Sequence, residues 1–189
     1  MKVLGICGSA RKDGNTALLM TKVLDELRLA EIETELVQLA GRAVNPCKAC
    51  WACGGKGNCA HGDDVTLIFE KAKQADGILL GSPVYSANVS SVMQAFLERA
   101  AVVVDMNPGL LAHKVGAAVA VARRGGALHT IDTMHHFFLN HEMFVVGSTY
   151  WNMAYGQMPG DVLQEEEGLR NMKNLGKNIG ILLKALNGG

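Results

Sequence analysis

Proline is scarce in this sequence, long apolar runs are missing and the charges cancel. With 4 prolines among 189 residues, and 49% hydrophobic against 19% charged side chains, little chain is left for a disordered tail and a large buried core is expected. Lys+Arg and Asp+Glu both number 18, so no net positive field draws a polyanion, and nucleic acid is not an expected partner. The longest apolar stretch, Val115–Ala122, falls well short of the ~18 residues that suggest a membrane span. The segment from Met1 to Cys7 is apolar only briefly before a glycine loop, without the longer apolar region and small-residue cleavage site of a signal peptide. The expectations are no membrane and a cytoplasmic location. A chain of this length closes one core as a single domain, residues 1–189, and no repeat or low-complexity linker divides it.

What is present is an alternation. Short β-like runs fall at Lys2–Cys7, Glu35–Leu39, Gly77–Gly81, Lys114–Ala122 and Met143–Gly147. Segments of helical period lie between and after them, at Asn15–Leu29, Asp63–Ala75, Val89–Val104, Ala127–Leu139 and Gln164–Leu186. Runs such as Gly77–Gly81 are apolar on both faces, as in a parallel sheet covered by helices on each side. The expected class is α/β, a doubly wound sandwich with a five-stranded parallel sheet and helices on both faces. One stretch, about residues 45–62, is too long for an ordinary connection.

Three loops follow the carboxyl ends of strands, where open parallel sheets place ligands. The first, Gly8 to Thr16, leads into a helix whose free N–H groups and dipole suit a phosphate, with Ser9, Asn15 and Thr16 adding donors. It lacks the Gly-Lys-Ser/Thr ending of a P-loop and the Gly-x-Gly-x-x-Gly of a dinucleotide site, which argues against ATP and against Rossmann-type NAD binding. A plain turn with Asn15 as helix cap reads the same residues equally well. The second loop, Gly81-Ser82-Pro83-Val84-Tyr85-Ser86-Ala87-Asn88, joins a stiff proline to small residues that let the backbone meet a flat heterocycle. The third, Arg123-Arg124-Gly125-Gly126, brings two guanidiniums and a flexible turn to the same edge. Each of these is also readable alone as an ordinary turn.

Four of the five cysteines, Cys47, Cys50, Cys53 and Cys59, sit in the long stretch. Without a secretion signal, metal or redox chemistry explains them better than disulfides. Three cysteines at successive two-residue gaps, followed by a fourth after five residues, suit a [4Fe–4S] cluster, each iron taking one thiolate; a compact zinc site more often uses two separated pairs, although zinc stays open. Gly54, Gly55 and Gly57 free backbone N–H groups to turn toward cluster sulfurs, and Lys48 and Lys56 can offset charge. Cys7 reads as a small buried hydrophobe. His113, His129 and His141 read as structural or surface residues.

Taken together, the Gly8–Thr16 loop, Cys47-x-x-Cys50-x-x-Cys53 with Cys59, Gly81–Tyr85, and Val146-Gly147-Ser148 followed by Tyr150-Trp151-Asn152 resemble the iron–sulfur flavoproteins, a branch of the flavodoxin-like NADPH-dependent FMN reductase superfamily. The resemblance covers nearly the whole chain. It implies FMN, with its phosphate near Ser9, Arg11, Asn15, Thr16 and Ala17, and its ring bordered by Pro83, Val84, Tyr85, Ser86, Asn88, Arg123, Gly125 and Gly126. It also implies a [4Fe–4S] cluster on the four cysteines and a homodimer or homotetramer with FMN near subunit interfaces. Gln94 departs from the commoner lysine of relatives, which alters a surface or interface charge, and the small Ser86-Ala87-Asn88 departs from their bulky aromatic, leaving a more open flavin face. The expected activity is flavin-dependent electron transfer, with ferredoxin or NAD(P)H as donor, a small molecule or protein as acceptor, and no acid–base side chain required. The alternatives are a plain NAD(P)H-dependent FMN or quinone reductase without a cluster, and a non-enzymatic electron carrier.

Overall fold

The computed structural model describes residues 1–188. Strand and helix alternate as β1 (Lys2–Cys7), α1 (Asn15–Leu29), β2 (Glu33–Gln38), α2 (Asp64–Gln74), β3 (Gly77–Pro83), α3 (Ser91–Asp105), β4 (Val115–Ala122), α4 (Ala127–Asn140), β5 (Phe144–Val145), β6 (Met153–Tyr155) and α5 (Glu166–Asn187), with one 3-10 turn at Asp161–Gln164. Every strand pair is parallel, in the order β2-β1-β3-β4-β5. The five positions of the expected sheet are present, but the fifth is filled twice. β5 pairs with Val115 and Gly116 at the start of β4, and β6 pairs with Ala120–Ala122 at its end.

Side chains alternate across the central strands, and this sorts the interior into two layers. Leu4, Ile6, Ile78, Leu80 and Ala118 face α2, α3 and α4. Val3, Leu79, Ala117 and Val119 face α1 and α5. All eight residues of β4 are buried, as a central strand covered on both sides requires. α5 approaches α1 closely at Gly176, where a Cβ would lie 2.7 Å from the Val23 carbonyl oxygen.

Side chains cap the starts of α2, α3 and α5, and none caps α1 or α4. Asp63 accepts from Val65 N at 3.2 Å to cap α2, and Ser90 accepts from Met93 N at 3.3 Å to cap α3. α1 begins after Gly14, which offers no side-chain cap. Its first helical bond runs from Leu18 N to Gly14 O, so the N–H groups of Asn15, Thr16 and Ala17 stand ahead of the ladder at the sheet edge.

Candidate functional site

At the carboxyl edge of β1, β3 and β4 the loops meet. Ser9, Arg11, Asn15, Thr16, Pro83, Val84, Tyr85 and Arg123 line one cavity of about 150 Å³, together with Val121, Gly156 and Gln157. Ser9 and Thr16 are buried at its base, and Tyr85 stands half exposed at its rim. The loops are tied to each other: Ser90 Oγ donates to Gly8 O at 2.6 Å, and Ser82 Oγ accepts from Ser90 N at 2.9 Å. Neither serine announced this role in the sequence.

Three of the expected ligand side chains make bonds within the protein. Asn15 is the first residue of α1 and not its cap. Its Nδ2 donates to Met158 O at 2.8 Å and its Oδ1 accepts from Gly160 N at 2.7 Å, so the side chain clasps the segment after β6 against the first loop. Arg11 Nη1 reaches Gln157 O at 3.2 Å and reinforces that clasp. The Asn88 amide oxygen accepts from its own neighbour Val89 N at 2.8 Å and from Thr133 Oγ on α4 at 2.7 Å, which pins the second loop to α4. Tyr85 and Asn88 exchange backbone bonds of 2.9 and 3.0 Å, with Ser86 and Ala87 between them at φ 50° and 60°. That is a two-residue hairpin turn of the primed type, and Ser86 shapes it without lining the cleft.

Gly125 and Gly126 open onto a neighbouring cavity of about 430 Å³, which Arg124, Tyr150, Trp151 and Tyr155 also border. Tyr150 and Trp151 belong to the excursion between β5 and β6, and both are more than half exposed. Ala17 lies buried in α1 and offers only its backbone N–H to the edge.

The cysteine loop forms a second centre, packed on α2 and α3. Asn107 Nδ2 donates to Cys53 O at 2.9 Å and its Oδ1 accepts from Gly57 N at 3.0 Å. Glu98 accepts from Cys47 N at 3.0 Å, and Lys73 Nζ donates to Gly57 O at 2.8 Å. These bonds hold a path that places Ala49 and Trp51 in the left-handed region, at φ 49° and 57°. Cys47, Cys50, Cys53 and Cys59 all line one small cavity, closed by Arg99, Val102 and Val103 of α3. All five cysteines are free thiols.

Among the described residues, no three His, Cys, Asp or Glu side chains converge closely enough to grip a single metal ion. The four thiols surround a space instead. Burial pushes the Cys53 thiol up, and negative charge on Cys59, Cys47 and Cys50 adds to the push. Thiolates brought this close call for compensating positive charge, which a thiolate-bound metal group supplies. Arg99, Asp63, Glu98, Asn107 and His61 surround this loop without having been legible as its partners, because the cysteine spacing carries no signal of what the loop packs on. Cys7, by contrast, is fully buried in β1 and its thiol is pushed up to about 11 by that burial, as a structural residue would be.

Residues 1–157 match the family described as NADPH-dependent FMN reductase. An iron–sulfur flavoprotein of Methanocaldococcus jannaschii is 42% identical over 98% of this chain and 99% of its own. An iron–sulfur flavoprotein of Methanosarcina thermophila is 34% identical over 95% of this chain and 93% of its own. Among solved structures, RosB with a bound 8-demethyl-8-formylriboflavin-5'-phosphate intermediate superposes with a TM-score of 0.75 at 18% identity, over 100% of this chain and 81% of that one. A flavodoxin from the domain Archaea superposes with a TM-score of 0.65 at 17% identity, over 97% and 99%. The structural likenesses speak for the flavodoxin-like fold. No helix of the described residues is long and apolar enough to cross a membrane.

Proposed function

Because the chain belongs to the NADPH-dependent FMN reductase family, among its iron–sulfur flavoproteins, we propose that it is a two-centre redox protein. FMN occupies the loop cleft and a [4Fe–4S] cluster occupies the thiol cavity. Electrons enter from ferredoxin or NAD(P)H and leave to a small-molecule or protein acceptor. When bound, FMN handles one or two electrons and an iron–sulfur cluster one at a time.

The chain's own residues do the rest. The open N-terminus of α1 presents the N–H groups of Asn15, Thr16 and Ala17 and the positive end of its dipole to a phosphate, with Ser9 and Thr16 at the base of the same cavity. Arg11 and Arg123 line that cavity as fixed cations. Pro83, Val84 and the Tyr85–Asn88 turn form a stiff wall for a planar ring, and Gly125 and Gly126 allow the backbone of the third loop to come near it. Tyr85, Tyr150, Trp151 and Tyr155, exposed around this edge, support a homo-oligomeric contact beside the cleft.

The observation that carries the proposal is the convergence of four thiols from one loop on a single cavity, apart from the cleft of the strand-edge loops. Replacing Cys50 by Ala should abolish the visible absorbance of the cluster and its iron while FMN stays bound at one per chain. Loss of both groups from a still-folded variant would contradict separate sites, and unchanged iron would remove Cys50 from the ligand set.

A further inference from the structure

Arg99 sits midway along α3, only 2% exposed. A guanidinium so buried is costly unless paired, and its bonds are divided. Nη1 pairs with the Asp63 carboxylate and donates to Asn45 O at 3.3 Å. Nη2 lies 2.9 Å from Cys59 Sγ and 3.5 Å from His61 O. Nε is buried without any partner. A residue needed only to neutralise Asp63 would turn two nitrogens of its fork onto that carboxylate. Here one face of the fork is spent on the carboxylate and the other on a sulfur.

The guanidinium does not lose its proton in proteins, so the charge it brings to Cys59 is permanent. A cluster held by four thiolates is negative, and one-electron reduction by ferredoxin, itself a one-electron donor, adds one more negative charge with no bond made or broken. Net charge and hydrogen bonds at the sulfurs set such potentials, and a fixed cation in contact with a ligand sulfur favours the reduced form. Resting on the cluster reading above, we infer that Arg99 is a positioning residue that raises the reduction potential of the cluster through the Cys59 sulfur, and that Asp63 is the counter-charge that holds this effect in check. α3 gives the arrangement its rigidity, since the same helix is anchored at its start by Ser90 to the first loop.

The test uses full-length protein purified without oxygen: wild type, Asp63→Asn, Arg99→Lys and the double variant Arg99→Met with Asp63→Asn. Asparagine keeps an oxygen to cap α2, and the double variant leaves no buried carboxylate unpaired. Iron and sulfide are counted first, and the cluster is then titrated potentiometrically by its electron paramagnetic resonance signal, with the FMN potential as internal reference. Asp63→Asn should shift the cluster to more positive potential. The double variant should shift it to more negative potential than wild type, by about tenfold in the ratio of reduced to oxidised cluster at fixed potential, or about 59 mV for one electron. Arg99→Lys, which keeps the charge, should fall closer to wild type than the double variant does. Opposite shifts are the signature, because a merely structural role would move both variants the same way. Fully loaded variants that titrate with wild type, or shift together in one direction, overturn the role of Arg99. A wild-type protein without iron and sulfide overturns the cluster reading itself.

Discussion

At Gly126 the backbone stands at φ 87°, and a Cβ there would lie 2.8 Å from the Ala87 Cα and 3.0 Å from Val84 Cγ1. The sequence showed a glycine turn at this position, and the structure supplies the reason: the third loop passes directly against the second. Gly126→Ala combines a left-handed alanine with a backbone collision, a strain of about 1–3 kcal/mol that the Tyr85–Asn88 turn must absorb by moving. FMN affinity should fall about tenfold, the equivalent of about 1.4 kcal/mol, in a fluorescence-quenching titration, with iron per chain unchanged; unaltered affinity would detach this loop from the flavin. His135 belongs to this scale as well. Its ring is partly buried on α4 with Nε2 unpartnered, and burial pulls its pKa below the ordinary histidine value, with His136 adding to the effect and Asp132 opposing it. The unfolded chain takes up a proton on this ring below about pH 6.5 while the folded chain resists it. Stability is therefore full above that pH and declines as pH falls toward the lower folded value. Urea midpoints at about pH 7.5 and pH 5.5 should drop more in wild type than in His135→Leu, and equal drops would place the loss in other groups.

The elements themselves were largely legible, because fully buried parallel strands read as continuous apolar runs and their helices as amphipathic ones. β1, α1 and β4 fall within a residue of where the pattern puts them. The fifth strand is the exception. The run Met143–Gly147 promises one strand, yet the chain leaves the sheet after Val146 bonds to Gly116 O and returns only where Asn152 O accepts from Ala120 N. No local signal marks the return, since β6 is three residues long and gains its place from pairing with β4. The N-terminus of α1 shows a different limit. Its loop offers donors suited to a phosphate and reads equally well as a plain turn, but the side chain of Asn15 turns to the segment after β6, a contact across 145 positions of sequence that no periodicity reveals. Asn15→Ala should therefore loosen the 156–161 segment and destabilise the fold by about 1–3 kcal/mol, the cost of stranding buried polar partners. Thr16→Ala should weaken FMN binding with little loss of stability. Melting temperature and FMN affinity, measured on both variants, check the division; a phosphate-only role for Asn15 would lower affinity in both and stability in neither.

Over the whole molecule, the two centres share one scaffold without sharing residues. The cleft is built at the carboxyl edge of the sheet, whereas the cysteine loop lies against α2 and the later half of α3. Composition and motif order were enough to expect both, because glycine loops at strand ends and closely spaced thiols each need particular residue types. The supports of the thiol cavity were not expected, since Arg99, Asn107 and Asp63 are common residues in helices and caps whose meeting depends on the completed fold. The contents of the two centres decide what the protein does. Iron, acid-labile sulfide and flavin should be counted per chain in protein purified without oxygen, with the visible spectrum taken before and after reduction. About four irons, four sulfides and one FMN are the expected result. One FMN without iron or sulfide, in protein never exposed to air, would contradict it and leave a plain flavin reductase whose cysteine loop holds zinc or serves the fold alone.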